Sequence, residues 1–100
     1  MKVLTDKNFA EIIEEEERLF VIDLYADWCA PCRMLAPTLA ELESEYPDVC
    51  FCKINVDEQG ELATTFGVMS IPSLFVIKNG EVANQAVGAR TKAQILDMLK

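Results

Sequence analysis

The chain of 100 residues predicts an α/β fold, a central mixed five-stranded sheet flanked by four helices on its two faces. Three observations carry this. Short apolar runs suited to strands alternate with amphipathic runs at helical spacing. Residues 19–26, LFVIDLYA, are apolar almost throughout, as in a strand covered on both faces of a parallel sheet. Asn79-Gly80 then marks a tight turn between two late strands, which makes that pair antiparallel and the sheet mixed.

Taken in order, Val3 and Leu4 suit a short first strand. Thr5 to Asn8 supply capping side chains, and Phe9, Ile12 and Ile13 recur at helical spacing, predicting a helix over 8–17. The strand over 19–26 follows, interrupted by a carboxylate at Asp23. Leu35, Leu39, Leu42 and Tyr46 share one face of a helix over 31–46. Pro31 falls in its first turn, where proline is tolerated, and Pro37 falls inside it, where a kink is expected. Residues 49–56 read as a second buried strand, and Asp57 as the cap of a helix reaching about Phe66. Residues 73–77 and 81–87 flank the Asn79-Gly80 turn. Thr91 and Gln94 form a capping box for a last helix with Ile95 and Leu99 facing inward. The order is β-α-β-α-β-α-β-β-α; the early strands, joined by helices, are expected to be parallel, and the last pair an antiparallel hairpin.

One domain spanning 1–100 is expected, because 51% apolar residues suffice for one core and no linker, repeat or low-complexity segment divides the chain. Seventeen acidic against nine basic residues give a net charge of -8. That balance argues against nucleic acid and anionic membrane partners, which require a basic face. The acidic run at 14–17 reads as a solvated helix face. With no histidine, Ser–His–Asp and Cys–His catalysis cannot occur within the chain. No apolar run is long enough to span a membrane, and the first residues do not resemble a signal peptide. A cytoplasmic location is therefore expected, unless a leader has been removed.

The chemistry concentrates in Trp28-Cys29-Ala30-Pro31-Cys32, where a buried strand ends and a helix begins. Cysteines at i and i+3 share a helical face, with Cα atoms roughly 5–6 Å apart, within disulfide range. Cys29 falls at the helix N-terminus, where unpaired N–H groups stabilise a thiolate. Cys32, one turn deeper, is expected to be the more buried. Cys29 is thus the candidate nucleophile and Cys32 the resolving thiol. The spacing alone also admits metal binding or a structural role. Cys50 and Cys52 point to one side of a strand and read as small core residues, with Cβ atoms roughly 7 Å apart. The sharper alternative is a zinc site of four thiolates from Cys29, Cys32, Cys50 and Cys52.

Several motifs in order then resemble the thioredoxin family over nearly the whole chain: Asp23, Ala26-Asp27-Trp28-Cys29-Ala30-Pro31-Cys32, Lys53 with Asn55-Val56-Asp57, Ile71-Pro72, Asn79-Gly80 and Val87-Gly88-Ala89. The resemblance implies a thioredoxin fold and a protein-disulfide reductase. It implies that Asp23 is a buried carboxylate beneath the cysteine pair, with a pKa raised towards neutrality, which takes the proton of the resolving thiol through water. Lys53 is implied to lie near that acid, and a purely structural Asp23–Lys53 pair is the alternative. Ile71-Pro72 is implied to be a cis bond facing Cys29, with the Ile71 backbone pairing an extended substrate. Trp28, Ala30, Pro31, Ile71, Pro72, Val87, Gly88 and Ala89 are implied to form an apolar docking surface, although Val87 also suits a core position. No bound cofactor is expected. The implied partners are disulfide-containing proteins and a thioredoxin reductase, linked to NADPH or ferredoxin, that restores the dithiol of a monomer.

The chain departs from the family pattern at Ala30, where glycine is usual, at Tyr25, where tryptophan is usual, and at Met69, where a basic residue is common. These departures bear on redox potential and partner choice more than on the reaction type. Two rival functions remain. Disulfide oxidases and isomerases of the family usually carry histidine between the cysteines, which is missing here. A non-catalytic binding or subunit module would not use the thiols at all.

Overall fold

A computed structural model describes all residues except 16 and 17. The elements are β1 (Lys2–Val3), α1 (Phe9–Glu15), β2 (Leu19–Tyr25), α2 (Ala30–Glu45), β3 (Val49–Asn55), α3 (Gly60–Thr65), β4 (Ser73–Lys78), β5 (Glu81–Val87) and α4 (Lys92–Met98). They form a five-stranded sheet in the order β1-β3-β2-β4-β5. The part of the expected first helix and acidic run at 16–17 lies outside the described residues.

Alternation along the central strands sorts side chains onto two faces. Phe20, Ile22, Leu24, Cys50, Cys52 and Ile54 point to one, where Phe9, Ile12 and Ile13 of α1 and Leu62 of α3 cover them. Val21, Phe51, Leu74 and Val76 point to the other, against Leu35, Leu39 and Leu42 of α2 and Ile95 of α4. Asp23 and Lys53 occupy odd positions in register on β2 and β3, so both belong to the α2 face.

Element lengths set the strand directions. The 16 residues of α2 span about 24 Å. That returns the chain along the roughly 23 Å of a seven-residue strand, and β2 and β3 run parallel. The six residues of α3 span only about 9 Å. The chain therefore re-enters the sheet at the end where β3 stopped. As a result β4 lies antiparallel to β2, so the expected parallel run of early strands ends at β3 although a helix joins β3 to β4.

Most boundaries shift by a residue. Leu4 follows β1 rather than ending it: its amide still donates to the Lys53 carbonyl at 2.9 Å, while its side chain is fully buried. Helix α2 continues through Pro37, because one missing N–H is tolerated when Leu35, Leu39 and Leu42 anchor the apolar face. The largest revision concerns α3. Asn55 Oδ1 accepts from the amides of Asp57 and Glu58, at 2.9 and 3.3 Å, and holds the chain in a turn until Gly60. Asp57 does not cap the helix. Its N-terminus is instead served across the fold by Asp6, whose Oδ1 accepts from the Leu62 amide at 2.9 Å, while the Asp6 amide donates to Gln59 Oε1 at 2.8 Å. The expected tight turn is present, with Asn79 at φ 54° and Gly80 at φ 79°. So is the Thr91–Gln94 capping box.

Candidate active site

The site is built where β2 runs out. Ala26 is buried and its carbonyl accepts from the Cys29 amide at 3.2 Å, closing a turn through the exposed Asp27 and Trp28. Cys29 is the N-cap of α2, with Pro31 in the first turn, and its Sγ accepts from the Cys32 amide at 3.3 Å. Cys29 and Cys32 form a disulfide with Cα atoms 5.2 Å apart, inside the span expected from the spacing. The two are equally buried, each 4% exposed, which corrects the expectation that Cys32 lies deeper. Once bonded, both sulfurs sit in one small cluster with Ala26, walled by Tyr25, Val56 and Ile71. Their asymmetry lies in the helix: Cys29 faces its free amides and Cys32 is held inside the first turn.

Beneath the pair, Asp23 is 5% exposed and its Oδ1 has no hydrogen-bond partner. Burial pushes its pKa up to about 7, against the opposing pull of the Lys53 charge. Lys53 is half-buried and its Nζ lies 5.7 Å from the centre of the Tyr25 ring. Asp23, Lys53, Cys32, Tyr25, Ala36 and Ala40 line a common cavity of about 340 Å³, so Asp23, Lys53 and Cys32, the three chemically active residues, border one space wide enough for water. Burial likewise raises the pKa of the Tyr25 hydroxyl, with Asp27 adding to the effect.

The facing wall comes from the loop before β4. The Ile71–Pro72 bond is cis, as the resemblance implied. Ile71 packs on the cysteine cluster, and the Pro72 carbonyl accepts from the Gly88 amide at 2.7 Å. Of the expected docking residues, Trp28 is 70% exposed and Val87 58%, so Val87 is not a core residue. Ala30, Pro31 and Ala89 are exposed, and Ile71 and Gly88 half-buried. Pro72 is buried and adds shape through its backbone rather than surface. Sequence reasoning missed the hydrogen bond from Trp28 Nε1 to Asp57 Oδ2, 2.9 Å long, which fixes the indole beside the disulfide. The only signal for it was a polar residue just past β3, which suits a helix cap equally well.

Cys50 and Cys52 are apart from this site. They are free, buried on the opposite face of the sheet from Asp23, and packed in the core with Leu4, Phe20 and Ile22. Their sulfurs lie 3.6 Å apart, and burial pushes the Cys52 thiol pKa upward. The four cysteines therefore do not converge, which removes the four-thiolate zinc reading. Among the described residues no group of three or more His, Cys, Asp or Glu side chains is arranged to hold a metal ion. No described helix is long and apolar enough to cross a membrane.

A family model described as Thioredoxin matches residues 1–100. The chain is 42% identical to a thioredoxin of Alicyclobacillus acidocaldarius subsp. acidocaldarius over 102 aligned residues, covering 97% of this chain and 96% of that protein. It is 43% identical to a thioredoxin of Bacillus subtilis (strain 168) over 96 residues, covering 95% and 90%. The X-ray structure of Fasciola hepatica thioredoxin superposes with a TM-score of 0.93 at 35% identity, covering 99% of this chain and 96% of that one.

Proposed function

The chain belongs to the thioredoxin family of disulfide oxidoreductases, and we propose that its protein-disulfide reductase activity runs through Cys29 as nucleophile and Cys32 as resolving thiol. The observation that carries this is the Cys29–Cys32 disulfide at the N-cap of α2, where the Cys32 amide donates to the Cys29 sulfur. In the reduced protein the Cys29 thiolate attacks one sulfur of a substrate disulfide. A mixed disulfide forms, and the displaced substrate thiolate takes a proton from solvent. Cys32 then passes its proton through water in the shared cavity to the Asp23 carboxylate and attacks the Cys29 sulfur. The second substrate thiolate leaves, and Cys29–Cys32 is oxidised by two electrons.

Asp23 suits the role because its pKa lies near the working pH, so it is both present as a base and able to hold a proton. Lys53 keeps that pKa from rising further. The substrate segment pairs with the Ile71 backbone at Pro72 and rests on Trp28, Ala30, Pro31, Val87, Gly88 and Ala89, whose exposed area is apolar. Residues 1–100 act as one domain, a monomer in the cytoplasm. A thioredoxin reductase drawing on NADPH or ferredoxin restores the dithiol, so no bound cofactor is needed. The acidic surface supports neither nucleic acid nor membrane partners.

Equilibration in thiol–disulfide buffers, counting free thiols at Cys29 and Cys32, tests the direction of the reaction. A two-electron midpoint near about -270 mV is expected. A value of roughly -120 to -180 mV makes the protein an oxidant or isomerase instead. Full biological activity of both Cys29→Ser and Cys32→Ser makes it a binding module.

A further inference from the structure

The thiols and the cis-proline wall account for attack on a disulfide but not for the choice of substrate. Directly behind that wall is a recess of about 280 Å³, lined chiefly by Phe66, Val68, Met69, Phe75 and Val87, with Ser70, Ser73 and Gln85 at its edge and no charged residue. In a chain with 26% charged residues, an uncharged recess bordered by residues on both sides of Ile71-Pro72 is a selective environment. Its near edge is continuous with the substrate wall: Ser73 stands opposite Val87 in the β4–β5 register, and the next residues, Pro72 and Gly88, are joined by the 2.7 Å hydrogen bond. Its outer lip is Met69, two residues before Ile71 and 96% exposed.

We propose that this recess is a specificity pocket for an apolar side chain of the substrate segment, located about two to four residues from the attacked cysteine, at a strand rise of about 3.3 Å per residue. The occupant is an extended peptide that continues past Ile71. The proposal rests on the disulfide-reductase reading above. The volume accommodates one leucine- or phenylalanine-sized group with space left over. Met69 is unbranched and soft, so it can fold over side chains of different shape. Where the family commonly places a cation, Met69 leaves the lip neutral. The pocket therefore selects for apolar rather than acidic side chains, and one residue sets that preference.

The test uses short Gly/Ser peptides with a central cysteine carried as a mixed disulfide with thionitrobenzoate. A single Phe, Glu or Ser is scanned through four positions on each side. For the reduced protein, Phe at one position in that range raises kcat/KM about tenfold over Ser, and Glu does not. Met69→Arg, at an exposed site where folding is not at risk, abolishes the Phe preference and gains one for Glu. Gln85→Trp, which fills the recess from β5, abolishes the Phe preference without creating a Glu preference. The free aromatic disulfide, too small to reach the recess, is reduced at the same rate by all three proteins. A flat Phe scan, or an unchanged Phe preference in both variants, overturns the pocket while leaving the reductase reading intact. Failure to reduce the small disulfide overturns the reading on which the pocket rests.

Discussion

Replacing Asp23 with asparagine separates the energetic cost of a buried carboxylate from everything else that titrates. The ordinary pKa of 3.8 rises to about 7 in the folded chain because burial disfavours the anion. Between those values the folded state binds more protons than the unfolded state, so stability falls as pH rises through the interval. Above the folded pKa the cost is complete, about 4 kcal/mol at 1.36 kcal/mol per unit, and well below pH 3.8 it is absent. Oxidised Asp23→Asn protein lacks this dependence. Its advantage over the parent should grow by roughly 3 kcal/mol between pH 5 and pH 8.5. With a urea slope of about 1–1.5 kcal/mol/M, that is a difference of about 2 M in midpoint. Because the chain has no histidine, few other groups titrate in this window, and those that do are common to both proteins and cancel. Urea unfolding of the two oxidised proteins across the pH range is the assay. Parallel stability curves would mean that Asp23 ionises like a surface carboxylate, and the reasoning from its burial would fail.

The same substitution should slow turnover of a protein disulfide about 10- to 100-fold above pH 7, where the parent has its base available, with a smaller effect near pH 5.5; equal rates at every pH would leave Asp23 a structural acid. Cys50 and Cys52, both buried, should resist a maleimide in native oxidised protein and react as two thiols per chain in denaturant; rapid native labelling would place at least one of them at the surface. Gly80→Ala should cost about 1 kcal/mol in chemical denaturation, because φ is 79° although open space surrounds the added methyl. An unchanged midpoint would mean that the turn relaxes to another type.

The sequence was most legible where one residue type permits one local geometry. Asn79-Gly80 could be read as a turn and Thr91 with Gln94 as a cap because each needs only neighbours within three residues. The cysteine pair was readable for the same reason. What escaped were choices decided at a distance. Asp57 carries the right side chain to cap a helix, but Trp28, 29 residues earlier, claims its carboxylate. The direction of β4 depended on the true length of α3, which Asn55 shortened by holding the turn before it. The equal burial of Cys29 and Cys32 follows from Ile71 and Val56 closing over the pair, contacts that no local pattern encodes. Asp23 was visible as an anomaly in an apolar run, while the role proposed for it came from the resemblance.

The exchange of hydrogen bonds between Asp6 and the start of α3 has a kinetic meaning. A helix of six residues is too short to persist alone in water. Its first turn is held by a residue 56 positions away in sequence, so the loop after β1 and α3 should open and close as one unit. In native-state hydrogen exchange, the Leu62 and Asp6 amides would then share one opening free energy and one response to denaturant. The wall that carries Ile71 begins only a few residues beyond α3, so the proposed substrate wall is predicted to loosen with the same opening, its rigidity set from the far N-terminal loop.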